Sequence, residues 1–321
     1  MRVKILNNAK KARNDEFYTR TVDIAAELAH YKNQFNGKVI FCGCDDYKKS
    51  NFYLFFKQNF TALGIKLIVC SGVENASTMK GSYVEFDGTT EIIIDDCDGT
   101  FQTNIPKVVE KYGAENIVFV TNPPFSPFRG LIDILEEHKL KYLLVGNGNA
   151  ITYKNVFRLI KDDNIRLGYK SLTSRAWFIV PDGNKFEKMI DGEPCVHIDN
   201  SCWFTNLEVD VAAKCAMAKL SYDFSKPYTL ESYYELSDAE RNKKYPKYDN
   251  YDAINIDKCK DIPGDYFGVI GVPISFLYYL GPSGWDIVGV LRDSVRGKAK
   301  YSRVLIKRKA QKHRENITEN G

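Results

Sequence analysis

Short apolar runs alternate with longer amphipathic ones between positions 38 and 145. The runs KVIFC (38–42), KLIVC (66–70), YVEF (83–86), EIIID (91–95), NIVFV (116–120) and KYLLV (141–145) are rich in Val, Ile and Leu, as buried strands are. Between them, SNFYLFFKQNFTALG reads as a helix capped by Ser50 and closed at Gly64. SPFRGLIDILEEHK reads as another, with Ser126 as cap, Pro127 in the first turn and Leu131, Ile132, Ile134 and Leu135 along one side. This alternation predicts an α/β fold, a doubly wound, mostly parallel sheet with helices on both faces. Such sheets hold ligands at the carboxyl ends of their strands, so the loops after Cys42, Cys70, Asp95 and Val120 are where chemistry is expected.

The pattern changes beyond about position 150. ITYKNVFRLIKDDNI reads as a helix, and WFIV and CWFT read as strands. The stretch 221–252 is polar and Tyr-rich, with Pro227 and Pro246, and reads as a linker or binding loop. These shifts suggest a main domain over 1–220 and a C-terminal region over 221–321.

Composition narrows the class. The 321 residues are 44% hydrophobic, 27% charged and 13% aromatic, enough for a sizeable core and unlike collagen, disordered chains or disulfide scaffolds. Lys and Arg (45) nearly balance Asp and Glu (41), yet the stretch 294–314 holds nine cations and no acid, leaving the rest of the chain near −5. Arg303, Lys307, Arg308 and Lys309 in that stretch are the expected phosphate contacts. A solvated surface strand with a frayed terminus explains the same charges. The eight cysteines sit mostly in apolar runs, which reads as reduced thiols in a cytoplasmic protein. Cys42 and Cys44 have no second pair at zinc-site spacing, so no metal is expected. No secretory leader is read at the N-terminus, and no apolar run approaches the roughly 20 residues that span a bilayer.

The sharpest chemical feature is Asn122-Pro123-Pro124-Phe125, directly after NIVFVT. Two prolines force the chain out of the sheet as a rigid turn. The turn gathers an amide side chain, a proline carbonyl and an aromatic face, which suit an exocyclic amine on a flat ring. The Asn122 side-chain oxygen and the Pro123 carbonyl each accept one N–H, and Phe125 stacks on the ring. Two acceptors polarise the amine lone pair toward an electrophile without a strong base.

On that motif the chain resembles amino-group methyltransferases that use S-adenosylmethionine. With DEFYT (15–19), CDDYKKSNF (44–52), TNPPFSPFR (121–129), ITYKNVFRLIK (151–161) and YPKYDNYDAINIDKCKDIPGDY (245–266), it is similar to the EcoRI-type adenine-specific modification methylase family over most of its length. The resemblance implies a class I, Rossmann-like methyltransferase fold with a C-terminal extension. It assigns the cofactor domain to 1–220, and leaves 221–321 for DNA target recognition and the basic tail.

The same resemblance distributes roles. Phe17, Tyr18 and Thr19 would fold over the methionine part of the cofactor. Cys42, Gly43 and Asp45 stand in the place of the family's cofactor loop, although only one glycine is present where two or three are usual. Glu74 would bind the ribose hydroxyls, Asp98 the cofactor's adenine amine, and Phe101 would stack on that ring. Asn122, Pro123, Pro124 and Phe125 would be catalytic. The implied reaction is methylation of adenine N6 in duplex DNA after the base is flipped from the stack. The implied setting is a cytoplasmic monomer, in a restriction-modification or protective role, with a separately encoded restriction endonuclease as partner. Methylation of RNA adenine or protein glutamine, and a non-catalytic DNA-binding protein of the same fold, are the competing readings. A dinucleotide-dependent oxidoreductase lacks its GxGxxG after the first strand.

Overall fold

A computed structural model describes residues 17–170, 176–181, 184–217, 232–278 and 285–309. By their internal contacts these belong to two compact units, Met1–Asp210 and Val211–Gly321. In the first unit the described elements are β1 (Tyr18–Thr19), α1 (Thr21–Leu28), α2 (Lys32–Phe35), β2 (Val39–Cys42), α3 (Asn51–Gln58), β3 (Leu67–Asn75), β4 (Lys80–Phe86) and β5 (Glu91–Asp98). They continue as α4 (Phe101–Tyr112), β6 (Ile117–Thr121), α5 (Phe128–Glu137), β7 (Lys141–Asn147), α6 (Lys154–Lys161) and β8 (Arg166–Leu167). β9 (Ala176–Ile179), β10 (Lys188–Ile190), β11 (Glu193–Ile198) and β12 (Ser201–Thr205) complete the unit.

The main sheet runs β5-β4-β3-β2-β6-β7-β12-β8. β3, β2, β6 and β7 are parallel, and every residue of β2 and β6 is buried, as expected of strands covered on both faces. α1 packs on α3, whereas α4 packs on α5 and α5 on α6. Right-handed crossovers put these two groups on opposite faces. The methyltransferase-type α/β architecture implied by the resemblance is therefore present, with a mixed rather than mostly parallel sheet.

The differences lie at the edges. YVEF and EIIID do form strands, but β3, β4 and β5 make an antiparallel meander. Only Ala76–Met79 join β3 to β4, too few for the crossover that parallel neighbours require. α3 is capped at Ser50 as expected, with the Ser50 hydroxyl accepting from the Tyr53 amide, but it ends at Gln58 rather than near Gly64. There the Asn59 side chain donates to the Phe55 carbonyl at 2.8 Å. α5 starts at Phe128 with Pro127 as its N-cap, so Ser126 stays outside. α4, which carries Pro106, was not among the helices read from the pattern.

The second unit contains α7 (Val211–Met217), α8 (Asp238–Lys244) and a sheet of β13 (Ile254–Asn255), β14 (Ile270–Pro273), β18 (Arg303–Arg308) and β15 (Trp285–Leu291), in that spatial order. The strands β16 (Ser294–Val295) and β17 (Lys298–Ala299) form a separate hairpin. α8 carries a full capping box between Ser237 and Glu240. Residues 221–231 of the expected binding loop, and Lys312 and Arg314 of the tail, lie outside the described residues. Among the described residues no helix is long and apolar enough to cross a membrane.

Candidate active site

Strand order reverses at β2, which lies between β3 and β6, so the carboxyl ends of β2 and β6 flank the crevice where such sheets place ligands. β6 delivers Asn122 and the two prolines into it. Asn122 is half-buried, and its Nδ2 donates to the Phe17 carbonyl at 2.6 Å. That bond fixes the amide and leaves Oδ1 as the acceptor. Asn51, the first residue of α3, donates through Nδ2 to the Thr19 carbonyl at 2.9 Å. Two amides from two separate motifs therefore pin the Phe17–Thr19 strap, while β1 is held on its other side by antiparallel pairing with β9.

Asp45 links these parts from below. It is 8% exposed, and it accepts from the Ser50 hydroxyl at 2.7 Å and from the Thr121 hydroxyl at 2.5 Å. Its amide donates to the Ser71 carbonyl at 3.0 Å. Burial pushes its carboxyl up to about 6, Asp46 adds repulsion, and the two hydroxyl bonds pull the other way. One carboxylate thus ties the turn after β2, the cap of α3 and the residue that precedes Asn122.

The lone glycine of the cofactor loop has a different reason than backbone approach to a ligand. A Cβ on Gly43 would lie 2.2 Å from the Phe119 ring, so Gly43 is required by packing against β6. The close approach occurs next door: a Cβ on Gly72 would meet the Asp45 backbone at 2.7 Å. Cys42 is fully buried, which pushes its thiol well above the usual range, so only its backbone faces the loop chemistry.

The remaining expected cofactor residues are spread more widely. Glu74 lies within β3, accepts from the Ser82 hydroxyl and sits 3.7 Å from the Lys48 ammonium of the β2 to α3 loop. Asp98 serves the start of α4: its carboxylate accepts from the Thr100 amide and the Thr103 hydroxyl, both at 2.8 Å, bonds that hold it below the usual carboxylate range. That fixes Asp98 as a capping group and engages both of its oxygens. Phe101 is the first residue of α4 and only 8% exposed, so its ring is core more than platform. Phe17, Tyr18, Pro124 and Phe125 are half-buried, Pro123 and Thr19 buried. Thr19 Oγ1 and Ser71 Oγ are buried without a hydrogen-bond partner, one on the strap and one beside Gly72. Polar atoms left in that state beside a crevice fit a polar ligand that completes them.

In the second unit the expected phosphate contacts diverge. β18 is an interior strand, and Arg303 is 9% exposed, with Nη2 3.0 Å from Asp257 and Nε donating to Asn255 Oδ1 at 3.3 Å. Arg308 lies over the Trp285 ring at 4.7 Å. Lys307 and Lys309 are exposed. The assignment of Arg303 to phosphate is corrected: its guanidinium is an internal tie. Sequence reasoning also missed Asn51, Ser50 and Thr121 as site-forming residues, although all three stand inside the quoted motifs. Gly72, outside those motifs, carried no signal.

The chain is similar to known proteins over nearly its whole length. A family model described as "Adenine-specific methyltransferase EcoRI" matches residues 5–321. The Escherichia coli protein "Type II methyltransferase M.EcoRI" is 37% identical, over 95% of this chain and 97% of its own. "Type II methyltransferase M.MpnI" of Mycoplasma pneumoniae is 32% identical, over 94% of this chain and 98% of its own. "Type II methyltransferase M.MgeORF184P" of Mycoplasma genitalium is 31% identical over similar shares, 94% and 98%. A solved structure from Pyrococcus horikoshii overlaps 60% of this chain and 86% of its own at a TM-score of 0.29 and 10% identity, too loose to bear on the argument. With a family match over nearly the whole length and relatives above 30% identity, the chain belongs to the EcoRI adenine-specific methyltransferase family.

Proposed function

We propose that this protein is a site-specific DNA methyltransferase that moves a methyl group from S-adenosylmethionine to N6 of an adenine flipped out of duplex DNA. The observation that carries the reading is the Asn122 amide, oriented by the Phe17 carbonyl at the carboxyl end of β6 in a chain of an adenine-specific methyltransferase family. Asn122 Oδ1 and the Pro123 carbonyl accept the two N6 hydrogens, so the nitrogen lone pair is directed away from them. Phe125 holds the base by stacking, which offsets part of a flipping cost of a few kcal/mol by about 1 to 3 kcal/mol. When bound, the cofactor supplies an electrophilic methyl on a sulfonium. Phe17, Tyr18 and Thr19 would hold its methionine part, and the Gly43–Asp45 backbone and Glu74 its nucleoside. Asn122 and Pro123 then hold the proton that the alkylated amine must release to water.

Relatives named as Type II methyltransferases support a restriction-modification role. In this reading the enzyme is a cytoplasmic monomer, the endonuclease is a separate protein, and the C-terminal region recognises the target. The test measures transfer from labelled cofactor to unmethylated DNA, RNA and protein, together with sequencing of N6-methyladenine in DNA from expressing cells. Asn122→Ala should keep the fold and cofactor binding but lower turnover about 100-fold or more. Near wild-type turnover removes Asn122 from the mechanism. Transfer to RNA or protein but not to DNA overturns the substrate.

A further inference from the structure

The second unit leaves one aromatic side chain almost wholly in solvent. Tyr301 is 88% exposed, more than any other large apolar residue described. It follows the β16–β17 hairpin, whose tip residues Arg296 and Gly297 are both left-handed, the conformation of a tight two-residue turn.

This segment is held rigidly although it projects. Asp249 accepts from the Ser294 hydroxyl and from the Arg296 and Gly297 amides, the latter two at 2.9 Å. Asp293 accepts from Asn250 Nδ2 at 2.8 Å, and its carbonyl receives the Lys300 amide at 2.9 Å. Just beyond Tyr301, Ser302 Oγ accepts from Arg292 Nε at 2.8 Å. Tyr301 is therefore presented from an ordered backbone, with little entropy left to lose on binding. The acids around the hairpin are consumed by these bonds, or by Asp257 pairing with Lys300 and Arg303. Arg292, Arg296 and Lys298 are exposed on the same segment.

We propose that the hairpin and Tyr301 dock on duplex DNA, Lys298 against a phosphate and the Tyr301 ring against the nucleotide beside it. The occupant follows from charge complementarity: a pre-ordered aromatic beside Arg292, Arg296, Lys298, Lys300 and Arg303, cations that outnumber the bonded acids Asp249, Asp257 and Asp293, suits a polyanion. This proposal rests on the DNA methyltransferase reading. It also moves the DNA contact from the interior strand β18 to the hairpin before it.

The full-length protein is titrated with a fluorescently labelled mixed-sequence duplex across a salt series, and methylation of unmethylated phage DNA is followed in parallel. Tyr301→Ala should weaken duplex binding about ten-fold, and Tyr301→Phe should restore most of it, because packing on a sugar needs the ring and not the hydroxyl. Lys298→Ala should lower the slope of log affinity against log salt by about one. Melting temperature and cofactor affinity should stay at wild-type values, since both side chains are exposed. Unchanged duplex affinity and salt slope in both variants overturn the proposal while wild-type DNA methylation leaves the functional reading standing. Wild-type protein that methylates no DNA overturns that reading instead. A Tyr301→Ala variant that binds DNA normally but loses concentration-dependent self-association assigns the surface to a second copy of the chain, and also overturns the proposal.

Discussion

Asp45 is expected to destabilise the protein at neutral pH, and Asp45→Asn should relieve that cost. Its carboxyl is moved from an ordinary 3.8 to about 6, mainly by burial. At about 1.4 kcal/mol per tenfold change in proton affinity, the ionised native state is disfavoured by about 3 kcal/mol at pH 7.5. For an acid with a raised native pKa, the favourable contribution is complete below 3.8 and is lost as pH rises through about 6. Relative to wild type, Asp45→Asn should therefore gain about 2 kcal/mol of unfolding free energy between about pH 4.5 and about pH 7.5. The comparison within one pair of proteins cancels every other titrating group. Urea unfolding of both proteins across that range, with fluorescence as the signal, measures it. A stability difference that stays constant within about 0.5 kcal/mol refutes the reasoning. Methyl transfer should fall in the same variant: an amide cannot accept from Ser50 and Thr121 as the carboxylate does, and Thr121 precedes Asn122. A group that costs stability beside the proposed catalytic turn is what a functional constraint looks like.

Gly72→Ala should lower stability by about 1 to 3 kcal/mol, read by thermal melting, and should weaken cofactor binding, because the new methyl meets the Asp45 backbone at 2.7 Å rather than a yielding side chain. Glu27→Ala removes the acceptor for the Tyr31 hydroxyl at 2.9 Å and the Tyr169 and Lys170 amides at 2.7 and 2.9 Å. Orphaning two backbone amides should cost about 3 to 5 kcal/mol in denaturant unfolding and expose the Tyr169 segment to hydrogen exchange. On the edge strand β5, where Ile92, Ile93 and Ile94 are 57%, 42% and 52% exposed, Ile93→Lys should reduce aggregation in light scattering with less than about 0.5 kcal/mol change in stability.

The Asn122 turn was legible as a feature because it is local. Asn-Pro-Pro-Phe follows its strand directly, and apolar runs mark β2, β3, β6 and β7 whatever their neighbours do. Strand direction was not legible at β4 and β5, because a short apolar run reads alike in parallel and antiparallel sheets, and the four-residue β3–β4 link is the deciding signal. In the expected cofactor loop, a residue's surroundings depend on partners distant in sequence. Asp45 reads as a ligand carboxylate until Thr121, 76 positions away, is found bonded to it. Gly43 reads as a ligand-facing glycine until Phe119 is found behind it. Charge was the least legible, since Arg303 and Lys307 are equal as letters and opposite in burial.

The bond from Asn122 to the Phe17 carbonyl has a consequence for which bases react. A primary amide is ambiguous, since a half-turn exchanges its acceptor for its donor. Anchored to a carbonyl, which only the NH2 end can satisfy, Asn122 loses that freedom, and Oδ1 is left as its acceptor end. An amino edge meets this oxygen with a hydrogen, whereas a keto edge meets it lone pair to lone pair. In the proposed function the strap would make this turn a polarity filter: the oxygen that receives adenine N6 would refuse guanine O6 and thymine O4, before any groove contact has been read.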